Sequence, residues 1–318
     1  MPRTLPELSV VIPFFNESGN IAPLFSRLLP VLSALQQTWE IVCIDDGSRD
    51  DTHARLIAAS ASAPGTRVIK LSRNFGKEAA ITAGIDAARG AHVLIMDGDL
   101  QHPPELLPAM LALQADGFDV VYGLRRSRKT DGAVRGTLSR LFYRIFAGAS
   151  EVAIPAGAGD FRLLSRRAVD ALKSLPEQNR FMKGLYAWIG FAQTAIPYDV
   201  EARRSGNSKW SLRRLFSYAW GGLVSFSTLP LRVWTICGSV IALLACAYAA
   251  WIVLSTLVHG KDVPGFATLA AAIFFLGGLQ LLSIGVLGEY IARIFAESKR
   301  RPVYIVEEEQ ESPADAAG

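Results

Sequence analysis

The 318-residue sequence is poor in cysteine, with only Cys43, Cys237 and Cys246. Their spacing matches neither a metal-ligand pattern nor a disulfide framework, which excludes a structural zinc site and a disulfide-stapled scaffold. Few, apolar-flanked cysteines fit a reducing compartment. The sequence contains no G-x-x-x-x-G-K-[ST] loop, and no G-x-G-x-x-G follows the first apolar run, so the P-loop and dinucleotide-binding classes are excluded. There is no internal repeat. The first residues, "MPRTLPELSVVIP", lack the basic start and apolar core of a signal peptide, so the first two hundred residues are expected to stay in the cytosol. Charge is scarce after residue 232: 19% of the chain is charged and 50% hydrophobic, but the charged residues sit mostly before that point. The mean hydropathy of +0.26 therefore averages two unlike parts.

What is present begins with β-rich runs at 8–13, 39–46, 67–72, 91–97 and 119–123. Helical stretches are expected near 18–36, 50–62, 77–89 and 103–116. Val/Ile-rich strands separated by helices predict a mostly parallel sheet covered on both faces, an α/β fold. Ligands of such sheets bind at the carboxyl ends of the strands, and three polar segments fall there: "PFFNE", "DDGS" and "DGDLQ". From about 130 to 200 the pattern loosens: a basic helical stretch (134–147), the loop "AGAGD", a short strand, and helices near 165–175 and 179–190. Residues 209–230 mix aromatic and basic side chains, as in an amphipathic membrane-surface helix.

Residues 233–258 and 266–288 contain no charge. Each exceeds the roughly 20 residues that cross a bilayer, so two transmembrane helices are expected, at about 233–258 and 266–290. The connector "HGKDVPG" is short, making the pair a hairpin. Arg213, Arg214 and Arg232 precede it and Arg293, Lys299, Arg300 and Arg301 follow it, whereas the connector holds only Lys261. The positive-inside rule places both flanks in the cytosol. The expected division is a catalytic domain over 1–208, interface helices over 209–232, the hairpin over 233–292, and a basic segment with a disordered acidic tail over 293–318.

In "IMDGDLQHPPE", Asp97 and Asp99 flank a glycine at a strand end. A carboxylate pair of this kind can hold a hard divalent cation, and Gln101 is expected to add an amide oxygen one pleat further on. Asp45 and Asp46 end the second strand, and Asp50 or Asp51 can cap the helix after it. Two acidic strand ends in one sheet repel each other unless something positive sits between them, or unless they bond ligand hydroxyls or base edges. The modest net charge of +4 suits nucleic acid, anionic lipid or phosphorylated ligands.

The segments "VIPFFNE", "IDDGSRDDT", "RNFGKEAAITAGIDAARG" and "DGDLQHPPE" resemble successive motifs of family 2 glycosyltransferases with the GT-A fold. "GDFRLLSRRAV", "RFMKGLYAWIGF", "RRSGNSKW", "FSTLPLRVWT", "LGEYIARIF" and "KRRPVYIV" resemble its polyprenyl-phosphate branch, nearest to the bactoprenol glucosyltransferases of O-antigen modification. The likeness covers about residues 8–306. It implies transfer of a hexose, glucose in first place, from a nucleotide diphosphate sugar to polyprenyl phosphate, with Mg2+ or Mn2+, at the cytosolic face of a bacterial inner membrane. It implies no nucleic-acid partner, and a homo-oligomer such as a tetramer. UDP-glucose is the expected donor, with UDP-GlcNAc, UDP-galactose and GDP-mannose as alternatives.

Carried over by position, the resemblance makes Asp97, Asp99 and Gln101 the metal site. Pro13, Asn16, Glu17, Asp46, Lys77, Asp97 and Gln101 become donor-binding positions. Arg125, Arg135, Ser139, Arg203, Ser208 and Lys209 become acceptor-phosphate positions, and Asp99, Asp160 and Arg203 carry catalysis. The loop holding Ser208 and Lys209 departs from the family's G-E-S/T-K in having Asn207 where the acid stands. Two other readings compete. A processive polysaccharide synthase would add Q-x-x-R-W and more membrane spans, but here "EQNRF" lacks the tryptophan. A catalytically silent sugar-nucleotide-binding scaffold would show no turnover of nucleotide sugar with lipid phosphate.

Overall fold

The computed structural model describes residues 5–126, 158–178, 180–199, 229–259 and 265–312. Among these residues eight strands, numbered in chain order as β1 to β8, form one mixed sheet in the order β7-β5-β6-β4-β1-β2-β3-β8. Its parallel centre is β1 (Leu8–Phe14), β2 (Trp39–Asp45), β3 (Thr66–Leu71) and β4 (His92–Ile95). The connecting helices are α1 (Ile21–Ala34), α2 (Thr52–Ala61) and α3 (Lys77–Ala87). Strand residues are buried from both sides: Val10, Ile12 and Cys43 face one core, which includes Leu24 and Leu28 of α1, while Val11, Val42 and Ile44 face the other, with Ala80 and Ile81 of α3. This two-sided cover explains why the central strands read as continuous apolar runs.

Past β4, helix α4 (Leu107–Ala115) leads to β5 (Val120–Arg125). Strand β6 (Ala158–Ser165) runs antiparallel to both β4 and β5. That reversal sets the start of β6 beside the carboxyl end of β4, so Asp160 arrives at the same end of the sheet as Asp97. Helices α5 (Arg166–Ser174) and α6 (Met182–Trp188) follow, and β7 (Gln193–Tyr198) closes one edge, parallel to β5. Strand β7 was not anticipated. It holds Pro197, which gives no amide to a ladder and is at home on an edge strand.

Two long helices follow, α7 (Leu229–His259) and α8 (Phe266–Ser298). Both contain windows long and apolar enough to cross a membrane, and none of either window is buried within the chain. At 31 residues, α7 is about 46 Å long, against a hydrocarbon core of about 30 Å. Helix α8 runs past the expected end near 290, and its last turns carry a Glu289–Arg293 ion pair. Glu297 then reaches the globular part, where its carboxylate accepts the backbone N–H of Gln178.

The acidic tail is a correction. Instead of a disordered segment, Val306–Glu311 forms β8, antiparallel to β3 at the second sheet edge. Acidic composition predicts self-repulsion, but β3 and its surroundings present basic partners. Glu307 pairs with Lys70 at 3.0 Å, Glu309 with Arg67 at 2.6 Å and Glu311 with Arg89 at 3.4 Å. Ser312 ends the ladder by donating its N–H to Thr66 O at 2.9 Å. Residues 313–318 lie outside the described residues, as do the basic stretch 134–147 and the proposed interface segment up to residue 228.

Candidate active site

The polar segments gather where β1, β2 and β4 end, where α3 begins, and where β6 starts. Asp97 comes two residues after β4, and the chain then turns back on itself rather than continuing in extended form. Leu100 takes a left-handed backbone (φ 64°) that few non-glycine residues adopt. Gln101 is therefore carried round a turn, not one pleat along a strand as expected. Asp99 Oδ1 accepts the Gln101 N–H at 3.1 Å, which holds the turn closed. Gly98 is required by packing: a Cβ there would lie 2.6 Å from the Phe14 ring.

Lys77, the first residue of α3, places its ammonium 2.7 Å from Asp97 Oδ1 and 2.6 Å from Asp160 Oδ2. The pair that this ammonium neutralises is Asp97 and Asp160, not the β2 and β4 strand ends whose repulsion the sequence raised. Burial by itself would lower the Lys77 pKa, but Asp160 and then Asp97 outweigh it, and the ammonium is held above the ordinary lysine value. Burial would raise both carboxylates; Lys77 reverses this and holds each below the usual carboxylate range, with help from Lys183 at Asp160. Asp160 Oδ1 is buried with no hydrogen-bond partner among the described residues.

Asp46 is buried, and its carboxylate is fully engaged by the loop before α3. Oδ1 accepts Phe75 N–H at 2.7 Å, while Oδ2 accepts Gly76 N–H and Asn74 Nδ2, both at 2.9 Å. Burial outweighs these bonds and raises its pKa. Asp46 therefore positions the backbone from which Lys77 emerges. On the other side of the β2 turn, Asn16 Oδ1 accepts Arg49 N–H at 2.8 Å, and the N–H groups of Asn16 and Glu17 donate to Ser48 Oγ and Thr52 Oγ1. Asn16 also has a left-handed backbone (φ 52°). Gly47 allows the tight turn between these groups (φ +64°), where a Cβ would lie 2.4 Å from the Arg73 carbonyl carbon. Asp50, not Asp51, supplies the cap at α2: its Oδ1 accepts from Thr52 N at 3.1 Å, and Asp51 makes no side-chain capping bond. Pro13 lies half-buried in β1 beside this cluster.

Arg125 ends β5 at the same edge, and its Nε donates to Tyr198 Oη at 3.3 Å. Arg135, Ser139, Arg203, Ser208 and Lys209 lie outside the described residues. The residue that sequence reasoning passed over is His102. Its fully buried ring stacks on Phe161 at 5.0 Å and meets Tyr198 edge-on at 6.1 Å, and its Nδ1 accepts the Asp97 N–H at 2.9 Å. The signal for it was its place immediately after the acidic motif. Burial lowers its pKa, which favours the neutral ring that this accepting bond requires.

Among the described residues no three His, Cys, Asp or Glu side chains are grouped to hold a metal. Asp97 and Asp99 supply two hard oxygen donors, with Gln101 beside them. That set fits Mg2+ or Mn2+ of the kind that completes its shell with phosphate oxygens and water.

Residues 9–173 match the glycosyl transferase family 2 model, and residues 229–294 match the GtrB C-terminal hairpin model. An uncharacterized glycosyltransferase of Synechocystis sp. is 49% identical over 94% of both chains. A bactoprenol glucosyl transferase of Shigella phage SfV is 42% identical over 96% of this chain and 99% of its own. The solved structure of Mycobacterium tuberculosis glucosyl-3-phosphoglycerate synthase is similar at TM-score 0.46 and 23% identity, over 68% of this chain and 77% of that one.

Proposed function

Because the chain belongs to glycosyl transferase family 2, we propose that it transfers glucose from UDP-glucose to a polyprenyl phosphate at the cytosolic face of the bacterial inner membrane. The observation that carries this reading is the convergence of Asp97 and Asp160 on Lys77 at one end of the sheet, in a chain that continues into two membrane-length apolar helices. A match to relatives named as bactoprenol glucosyl transferases supports the sugar and the lipid class.

In this reading Asp97 and Asp99, with Gln101 adjacent, would hold Mg2+ or Mn2+, which would supply positive charge against that growing on the leaving diphosphate. The attacking group is a phosphate oxygen of the lipid. A phosphate monoester has a second pKa of about 6, so it is ionised at neutral pH and needs no strong general base. Asp160 then orients a sugar hydroxyl or supports positive charge developing on the ring, a role suited to a carboxylate kept ionised by Lys77. Attack opposite the leaving group inverts the anomeric centre. Pro13, Asn16 and Glu17 line the nucleotide side, with Asp46 holding the loop behind them. Arg125 is assigned to the acceptor phosphate, and by the resemblance Arg135, Ser139, Arg203, Ser208 and Lys209 are assigned to it as well. The division into a catalytic domain, interface segment and hairpin, cytosolic placement of both termini, and assembly into a homo-oligomer belong to the same proposal.

The test is a panel of radiolabelled nucleotide sugars given to membranes containing the protein and undecaprenyl phosphate. Label from UDP-glucose is expected in the lipid extract. Label from another sugar nucleotide alone would overturn the donor, and label in a water-soluble polymer would overturn the acceptor.

A further inference from the structure

Lys77 stands at the first position of α3, where a cation meets the unfavourable end of the helix dipole. The helix therefore does not account for its place; the two carboxylates do. They come from segments far apart in sequence, and one ammonium lies within 2.7 Å of an oxygen of each. The base of the side chain is fixed. Asp46 pins the N–H groups of Phe75 and Gly76, and Gly76 enters the helix at φ +101°. The far end is held by its two ion pairs rather than by the backbone. The Lys77 side chain is 43% exposed along its length, while its ammonium, on a rotatable four-carbon stem, is buried between the two carboxylates.

We propose that Lys77 is a built-in counter-ion that occupies Asp97 in the ligand-free site, competes there with the divalent cation, and passes to the donor diphosphate when the nucleotide sugar enters. The inference rests on the diphosphate-sugar donor proposed above. With Asp97 already neutralised, a divalent cation alone meets a weakened ligand. The negative charge of a diphosphate offers Lys77 a second anionic partner, which releases Asp97 to the metal. Asp160 retains the lysine's other contact, so the ammonium stays within the site throughout. Lys77 thereby makes metal uptake depend on donor uptake, and its removal has opposite effects on the two.

The experiment uses the full chain in detergent. Mn2+ alone is titrated and followed by the electron paramagnetic resonance of the free ion; UDP is then titrated calorimetrically at saturating Mn2+. Lys77→Met should bind Mn2+ alone about tenfold more tightly than the native chain, and UDP with Mn2+ about tenfold more weakly, a factor equal to ~1.4 kcal/mol in each direction. Opposite signs identify competition, since general damage to the site weakens both. Equal or weaker Mn2+ binding by Lys77→Met would overturn the proposal. If the native chain binds no UDP while Lys77→Met still gains Mn2+ affinity, the counter-ion stands and the donor assignment falls. Should Lys77→Met not fold, Lys77→Gln, which keeps a hydrogen-bond donor between the carboxylates, is expected to show the same signs. Independently of any variant, a native chain that binds Mn2+ equally well with and without UDP would overturn the proposal.

Discussion

The two ends of the sheet each hold carboxylates beside a basic side chain, and they differ in how completely those carboxylates are engaged. At the amino ends of the strands, buried Glu40 has both oxygens occupied. Oε1 accepts from Ser9 Oγ at 2.5 Å and from Arg89 N at 2.7 Å, while Oε2 faces Arg67 at 3.3 Å. Arg67 also donates to Ala87 O at 2.9 Å and pairs with Glu309 of β8. At the carboxyl ends, Lys77 neutralises one oxygen each of Asp97 and Asp160, and Asp160 Oδ1 is left without a hydrogen bond among the described residues. Glu40 has each oxygen paired because an unpaired buried carboxylate is costly.

Removing a member from each end separates the two cases. Arg67→Ala leaves Glu40 buried without its ion-pair partner and should cost about 3–5 kcal/mol of stability. Denaturant unfolding would measure this, while the transfer rate per folded molecule should stay within about twofold, as for a site remote from the chemistry. Loss of the rate without loss of stability would erase the distinction between the ends. Asp99→Ala should do the reverse. Transfer falls by about 10²–10³-fold, as when one preorganised electrostatic group is removed, and stability changes by roughly 1 kcal/mol or less. Initial rates beside a melting curve test it.

The response to pH sharpens the comparison. In the native chain Asp97 and Asp160 are held below the ordinary carboxylate range, mainly by Lys77 acting against their burial. Their stabilising contribution is fully present above the unfolded value of about 4 and is lost as pH falls through the lower folded values. In Lys77→Met the two carboxylates face each other without a cation, and one folded-state pKa should rise above its unfolded value. That variant should gain stability as pH drops from about 7 towards 5, whereas the native triad gives no gain over the same range. Unfolding midpoints at three pH values decide between the two signs. The smallest effect is expected at the tail. Glu309→Gln removes a part-exposed partner of Arg67 and should cost about 0.2–1 kcal/mol, less in high salt. A larger, salt-independent loss would mean that β8 belongs to the buried network.

Much of the architecture was legible because it rests on local signals. Val/Ile runs such as "SVVIP" and "EIVCI" must be covered on both faces, so alternation with helices implied a parallel sheet, and uncharged runs of membrane length implied the hairpin. The acidic motifs at strand ends pointed to the candidate site, since parallel strands deliver their carboxyl ends to one edge. What local pattern could not supply were contacts between segments distant in sequence. The sequence contained Asp160 and Lys77, but the antiparallel course of β6 brought Asp160 to Asp97, and the loop held by Asp46 brought Lys77 between them. His102 was visible beside the motif, yet its role depends on Phe161 and Tyr198, which come from other strands. The tail "VEEEQE" was misread for the same reason. Composition counts a segment's repulsion with itself, and the row of basic side chains that cancels it lies more than two hundred residues earlier, across a sheet edge that only the folded chain creates.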